Sequence, residues 1–167
     1  MNLNELSAAI GRVQLKKLPN ILAARRNLAA RIAERCLSLK SIRVVQSSPE
    51  CESAYWFLFF TLDLGKLSTD KNTFTAALAA EGIPVHPTYL FLWTDAEWYR
   101  KKAVFGKSKY PWSAPEYKGD PDHEFDFANI IATDAYHFRL PFHENLTSED
   151  MDDLFAAFEK VENAYAV

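Results

Sequence analysis

Asn2 to Leu18 reads NLNELSAAIGRVQLKKL, and the interpretation of this opening stretch decides how the rest of the chain is organised. Leu6, Ala9, Ile10 and Val13 recur at steps of three and four, the spacing that lines one face of an α-helix. The pattern predicts an amphipathic helix from about Asn4 to Lys17. Nothing ahead of it supplies cover for the apolar stripe. The stripe must therefore dock on later segments, on a second copy of the chain, or on a domain outside it.

Pro19 is the next decisive residue. Proline fits the first turn of a helix, where its missing N–H costs nothing, and fits poorly in a helix interior. The expected arrangement is an N-terminal helical pair over residues 1–37, with the second helix starting at Pro19. Ile21, Leu22, Leu28, Ala29 and Ile32 share its inward face. Arg25, Arg26, Arg31 and Arg35 fall off that face and read as a solvated surface.

Residues 38–167 read as a small α+β domain. Ser41–Gln46 has strand character, and Ala54–Leu64 (AYWFLFFTLDL) is aromatic and branched enough for a central strand covered on both faces. Ser68–Glu81 reads as a helix that Ser68 or Asp70 can cap and Gly82 can end. Pro84 and Pro87 make the following extended piece an edge or a turn. A short helix is expected within Asp95–Ala103. Tyr110–Asp122 (YPWSAPEYKGDPD) excludes a long regular element, and its rings argue for ordered packing. Phe127–Ala135 reads as a helix and Tyr136–Phe142 as a strand. Thr147 and Asp150 form a capping box for the last helix, with Met151, Leu154, Phe155, Phe158 and Val161 inward. The expected architecture is a small, mostly antiparallel sheet with helices packed mainly on one face.

Bulk properties narrow the function. The 167 residues fit one domain, and an apolar share of 49% is globular. A net charge of −3 provides no basic field for nucleic acid or anionic membrane. No run approaches the roughly 18 apolar residues of a spanning helix. Cys36 and Cys51 are too few for a disulfide framework, which favours a reduced, cytoplasmic setting. No zinc spacing is present. His137 and His143 bracket one strand without a distinctive third ligand.

The string N-E-L-S-A-A-I-G-R-V-Q-L-K-K-L (Asn4–Leu18), followed by ILAARRNLAARIAER (Ile21–Arg35), resembles the DegT/DnrJ/EryC1/StrS sugar aminotransferases. The resemblance continues through G-I-P-V (Gly82–Val85) and L-P-F-H-E-N-L-T (Leu140–Thr147). It implies the small C-terminal domain of a pyridoxal-phosphate enzyme with the type I aminotransferase fold. The implied partners are a large cofactor domain or a second copy of this chain, and a small sugar or cyclitol substrate.

Pyridoxal-phosphate chemistry needs a reactive lysine, a carboxylate on the pyridine nitrogen and a phosphate cradle. The resemblance places all three in the large domain. The lysines here sit in surface-like strings, and the five glycines form no phosphate loop. The chain alone is therefore expected to bind no cofactor, to contain no catalytic residue and not to transaminate. Substrate contact is implied for His86 and Tyr89, just after G-I-P. For His86 the competing reading is a loop histidine with one backbone partner, and for Tyr89 a packing residue. Trp112 and Tyr117 are candidates because their loop resembles an insertion in members acting on cyclitol or sugar ketones. Asn2 and Asn4 lie where the family approaches the cofactor phosphate, although the family's Y-R-M is replaced by Met1-Asn2-Leu3. The alternatives are a stand-alone binding or regulatory module, and a small enzyme built around His86, Glu116 and Tyr117.

Overall fold

The computed structural model describes residues 4–88 and 92–167. Asn2 and Tyr89, two of the candidate site residues, lie outside them. The order of elements is α1 (Glu5–Arg35), β1 (Ile42–Val44), β2 (Phe57–Leu62), α2 (Lys71–Ala80), α3 (Glu97–Arg100), α4 (Ala128–Asp134), β3 (His137–Pro141) and α5 (Ser148–Tyr165). The fold class is α+β. By internal contact the chain divides into two compact units, one of Met1–Thr88 with Ala135–Val167 and one of Tyr89–Asp134.

The first unit is built on an antiparallel sheet in the order β1-β2-β3. Burial alternates strictly along β2: Leu58, Phe60 and Leu62 are buried, while Phe57, Phe59 and Thr61 are half-buried. β2 is thus central, as its composition implies, but only one of its faces is fully covered. Two-sided cover was the wrong inference from an aromatic run whose alternation is masked because both faces are apolar.

On the buried face, Phe60 stacks on Phe138 at 5.0 Å, and Phe158 of α5 meets Phe60 edge-on at 5.4 Å. α2 adds Phe74 and Leu78, and α1 adds Leu28, Ala29 and Ile32. α2 is capped by Asp70, whose side chain accepts from the Thr73 N–H, and the chain leaves it through Gly82 at φ +90°. α5 carries the expected capping box between Thr147 and Asp150.

Two inferences about α1 need correction. There is no helical pair, because a single 31-residue helix runs through Pro19. An interior proline costs about 3 kcal/mol and leaves the carbonyl four residues back unserved. Here that carbonyl belongs to Leu15 on an exposed turn, where water can take the bond. The arginines are also not a free solvated face. Arg25 pairs with Glu144 at 2.9 Å and reaches the Tyr55 carbonyl. Arg26 pairs with Glu52 and donates to the Ser53 carbonyl. Arg35 pairs with Asp152 and lies over the Phe155 ring. They tie α1 to the loop before β2, to the Glu144 turn and to α5.

The start of β1 is held by a buried carboxylate. Glu162 of α5 accepts from the N–H groups of Lys40 and Ser41 and from the Ser41 hydroxyl at 2.6–2.9 Å. Burial alone pushes its pKa up, but these donors and the Arg43 charge outweigh it and hold the carboxyl below its ordinary value. Cys36, buried beside it, has its thiol pushed up to about 12, chiefly by burial against the opposing pull of Arg43 and Arg35. It is inert packing, as its helical setting implies.

Glu162→Gln should lower the unfolding free energy by about 2–3 kcal/mol at pH 7, measured by urea titration, because a buried donor loses its charged acceptor. A carboxyl with a depressed folded-state pKa stabilises fully above its unfolded value of about 4.3 and loses that contribution as pH falls through the lower folded value. The difference between the two proteins should hold constant down to about pH 5 and then close.

Candidate functional site

The alternation that buries one face of the sheet leaves the other face carrying its chemistry. Register pairs Arg43 with Thr61 and Thr61 with His137, then Phe59 with Arg139. A further bridge adds His86 beside Arg139: the His86 N–H donates to the Arg139 carbonyl at 2.8 Å, and the Arg139 N–H returns to His86 at 3.0 Å. Residues opposite one another in antiparallel pairs point to the same side. His86, Arg139, Phe59, Thr61, His137 and Arg43 therefore share one face.

Within that face, the Thr61 hydroxyl and His137 Nε2 are 3.0 Å apart. The Arg139 guanidinium sits 5.7 Å from the centre of the Phe57 ring, and its Nε donates to the Thr88 carbonyl at 3.4 Å. Cationic groups interleaved with aromatic rings can orient a planar or anionic group.

His86 is exposed, and its main chain serves as an edge strand, as the prolines around it imply. Asn4 is the N-cap of α1, with its side-chain oxygen accepting from the Ser7 N–H at 2.7 Å. Trp112 belongs to the second unit. It stacks with Trp98 at 6.4 Å and meets Tyr99 at 5.8 Å, and the Lys102 ammonium lies 3.7 Å from the Tyr99 ring centre and 5.2 Å from that of Trp112. Trp93 joins the cluster through Tyr99 and Phe125. This is the ordered packing that the ring content of the irregular segment implies. Tyr117 lies in the same unit, donating its N–H to Ala114 and holding its ring close over Gly119.

Arg139, Thr61 and Phe59 were not singled out from the sequence, and His137 was weighed only as one of two histidines bracketing a strand. The signal for them is the period of two shared by FLFFTL and HFRLP, which becomes readable only once the buried face is known.

Among the described lysines, Lys102 covers aromatic rings and most others are exposed. Lys71 departs from the surface-like expectation, being 6% exposed at the start of α2, and it is engaged with its surroundings. The glycines are scattered, and no cluster of three metal-ligating side chains occurs among the described residues. No described helix is long and apolar enough to cross a membrane.

The fold is that of known sugar aminotransferases. The chain superposes on the aminotransferase TlmJ from Streptoalloteichus hindustanus with a TM-score of 0.66 and 18% identity, covering 97% of this chain and 37% of that one. It matches a DegT DnrJ EryC1 StrS aminotransferase from Brucella abortus with a TM-score of 0.67 and 19% identity, over 96% and 36%. The pyridoxal-phosphate form of Spr1654 from Streptococcus pneumoniae, named as a sugar aminotransferase, gives 0.66 at 20% identity, over 98% and 36%. No curated protein sequence matches. The model of the DegT/DnrJ/EryC1/StrS aminotransferase family matches residues 1–159, and the chain belongs to that family. It spans little more than a third of the length of the solved structures it resembles.

Truncating the central ring of the second unit should loosen that unit alone. Trp112→Ala is expected to speed amide exchange in residues 93–103 by at least tenfold while leaving β2 and α5 protected.

Proposed function

We propose that this chain is the C-terminal small domain of a pyridoxal-phosphate-dependent sugar or cyclitol aminotransferase. It supplies assembly and substrate closure to a cofactor site completed by a large domain, and it is non-catalytic alone. The observation that carries the reading is the N-terminal half of α1. Leu6, Ile10 and Val13 are 72%, 55% and 52% exposed, although the same helix buries Leu28, Ala29 and Ile32 further along. An apolar stripe of this length is rarely left to water. The solved relatives are two to three times longer, which supports a large domain as its cover.

On this reading residues 1–37 form the assembly segment and residues 38–167 the closing domain. His86, Tyr89, Trp112 and Tyr117 are assigned as substrate contacts, and Asn2 and Asn4 as residues that approach the cofactor phosphate. When bound, the cofactor would supply the amino-group transfer chemistry. This chain's part is to bind and orient the substrate and to exclude water. The complete enzyme would act on a small molecule in the cytoplasm.

Two measurements test the proposal. Incubation with pyridoxal phosphate and borohydride should give no stoichiometric adduct at a single lysine, and such labelling would overturn non-catalytic status. In sedimentation, the isolated chain should self-associate at micromolar concentration through the uncovered stripe. Ile10→Asp should return it to a monomer with an unchanged melting temperature. A wild-type chain that stays monomeric and binds no hydrophobic dye would count against a docking role for α1.

A further inference from the structure

A cleft of about 400 Å³ lies where β1 begins, β2 ends and β3 is about to start. It is lined by Lys40, Ser41, Arg43, Thr61, Leu62, Asp63, Lys66 and Tyr136. All of these residues belong to the first unit. The volume is within the range of small-molecule sites, ~300–1,000 Å³.

Its charge runs against that of the whole chain. Three cationic side chains face one carboxylate in the lining, in a protein whose net charge is −3. Asp63 is committed to Lys66 at 3.1 Å, and the Lys66 ammonium also donates to the Lys40 carbonyl at 3.1 Å. Glu162 lies behind the wall, with its oxygens taken by Lys40, Ser41 and the Ser41 hydroxyl. Arg43 Nη1 donates to the carbonyls of Cys36, Leu39 and Ile42 at 2.6–3.1 Å, which fixes its guanidinium in place. The Lys40 ammonium belongs to none of the ion pairs of the described residues.

Two features make this more than a solvated charge cluster. Arg43 is held rigidly, so an anion meeting it forces little loss of side-chain freedom. The cleft also pairs its cations with a hydroxyl, on Thr61, and with an apolar wall made by Tyr136 and Leu62. Guanidinium and ammonium groups recognise phosphate oxygens through charge-assisted hydrogen bonds. A bare oxyanion would fill only part of the space and leave the Tyr136 ring unused.

We propose that this cleft binds a phosphate group carried on a small organic molecule, a phosphomonoester. The phosphate lies between Lys40 and Arg43, and the carbon portion lies against Tyr136. The site is independent of the aminotransferase reading, because it uses none of the residues assigned to substrate or cofactor.

The test is a titration of the 15N-labelled full chain with glycerol phosphate, inorganic phosphate and chloride at constant ionic strength. Glycerol phosphate should shift the amides of residues 40–43, 61–63 and 136 saturably, with an affinity at least threefold tighter than that of inorganic phosphate. Lys40→Glu should weaken it at least tenfold, with the remaining spectrum unchanged. Shifts reproduced by chloride, inorganic phosphate binding as tightly as the ester, or undiminished binding by Lys40→Glu would each overturn the proposal. If the variant does not fold, the wild-type shift map and the ester-to-phosphate ratio decide the matter.

Discussion

The Phe60–Phe138–Phe158 contact is the constraint on which the first unit depends. Phe60 and Phe138 are cross-strand partners, so their stacking fixes the register of β2 against β3. Slipping that register by one residue would turn every side chain of β3 over and send Phe138 and Leu140 to the outer face. Phe158 sits edge-on to both rings at 5.4 and 6.4 Å and so docks α5 on the same spot. Each aromatic pair contributes about 0.5–1.5 kcal/mol beyond the area it buries. The larger effect is geometric, because one cluster decides which face of the sheet is interior.

That decision also places the chemistry. With Leu58, Phe60, Leu62, Phe138 and Leu140 inward, Thr61, His137, Phe59 and Arg139 must face the other way. The same alternation puts Arg43 opposite Thr61 at the rim of the basic cleft. The polar outer face follows from the packing requirement.

What the sequence revealed, and what it hid, divides along the range of the interaction concerned. Local devices were legible: Asp70 and Thr147 as caps, Gly82 as a helix end, and the five inward positions of α5, all of which are buried. These depend on residues within one helix and its flanking turn. The Arg25, Arg26 and Arg35 ties were not legible, since their partners Glu144, Glu52 and Asp152 lie far away in sequence and a charged helical face looks solvated until they are placed. Pro19 misled for a related reason. Its local cost is real, and the packing of Leu28, Ala29 and Ile32 outweighs it by anchoring a helix already under way. Of the candidate site, the family strings were legible in the sequence, whereas the outer face required knowledge of strand register.

The unequal burial along α1 carries the last step. Residues 5–20 contribute almost nothing to the core, and a helix of that length alone in water is marginal. It persists because its nucleus lies elsewhere. The turns anchored at Leu28, Ala29 and Ile32 already bear the cost of initiation, so the exposed turns need only propagate from them. Asn4 and Glu5 then satisfy the free N–H end and its partial positive charge. The outcome is an apolar surface that is ordered before anything covers it. A partner that docks there loses less freedom than one that must first fold the helix. This explains why the stripe is carried on a continuous helix and why the interior proline, which weakens that helix, is confined to its solvent-exposed stretch.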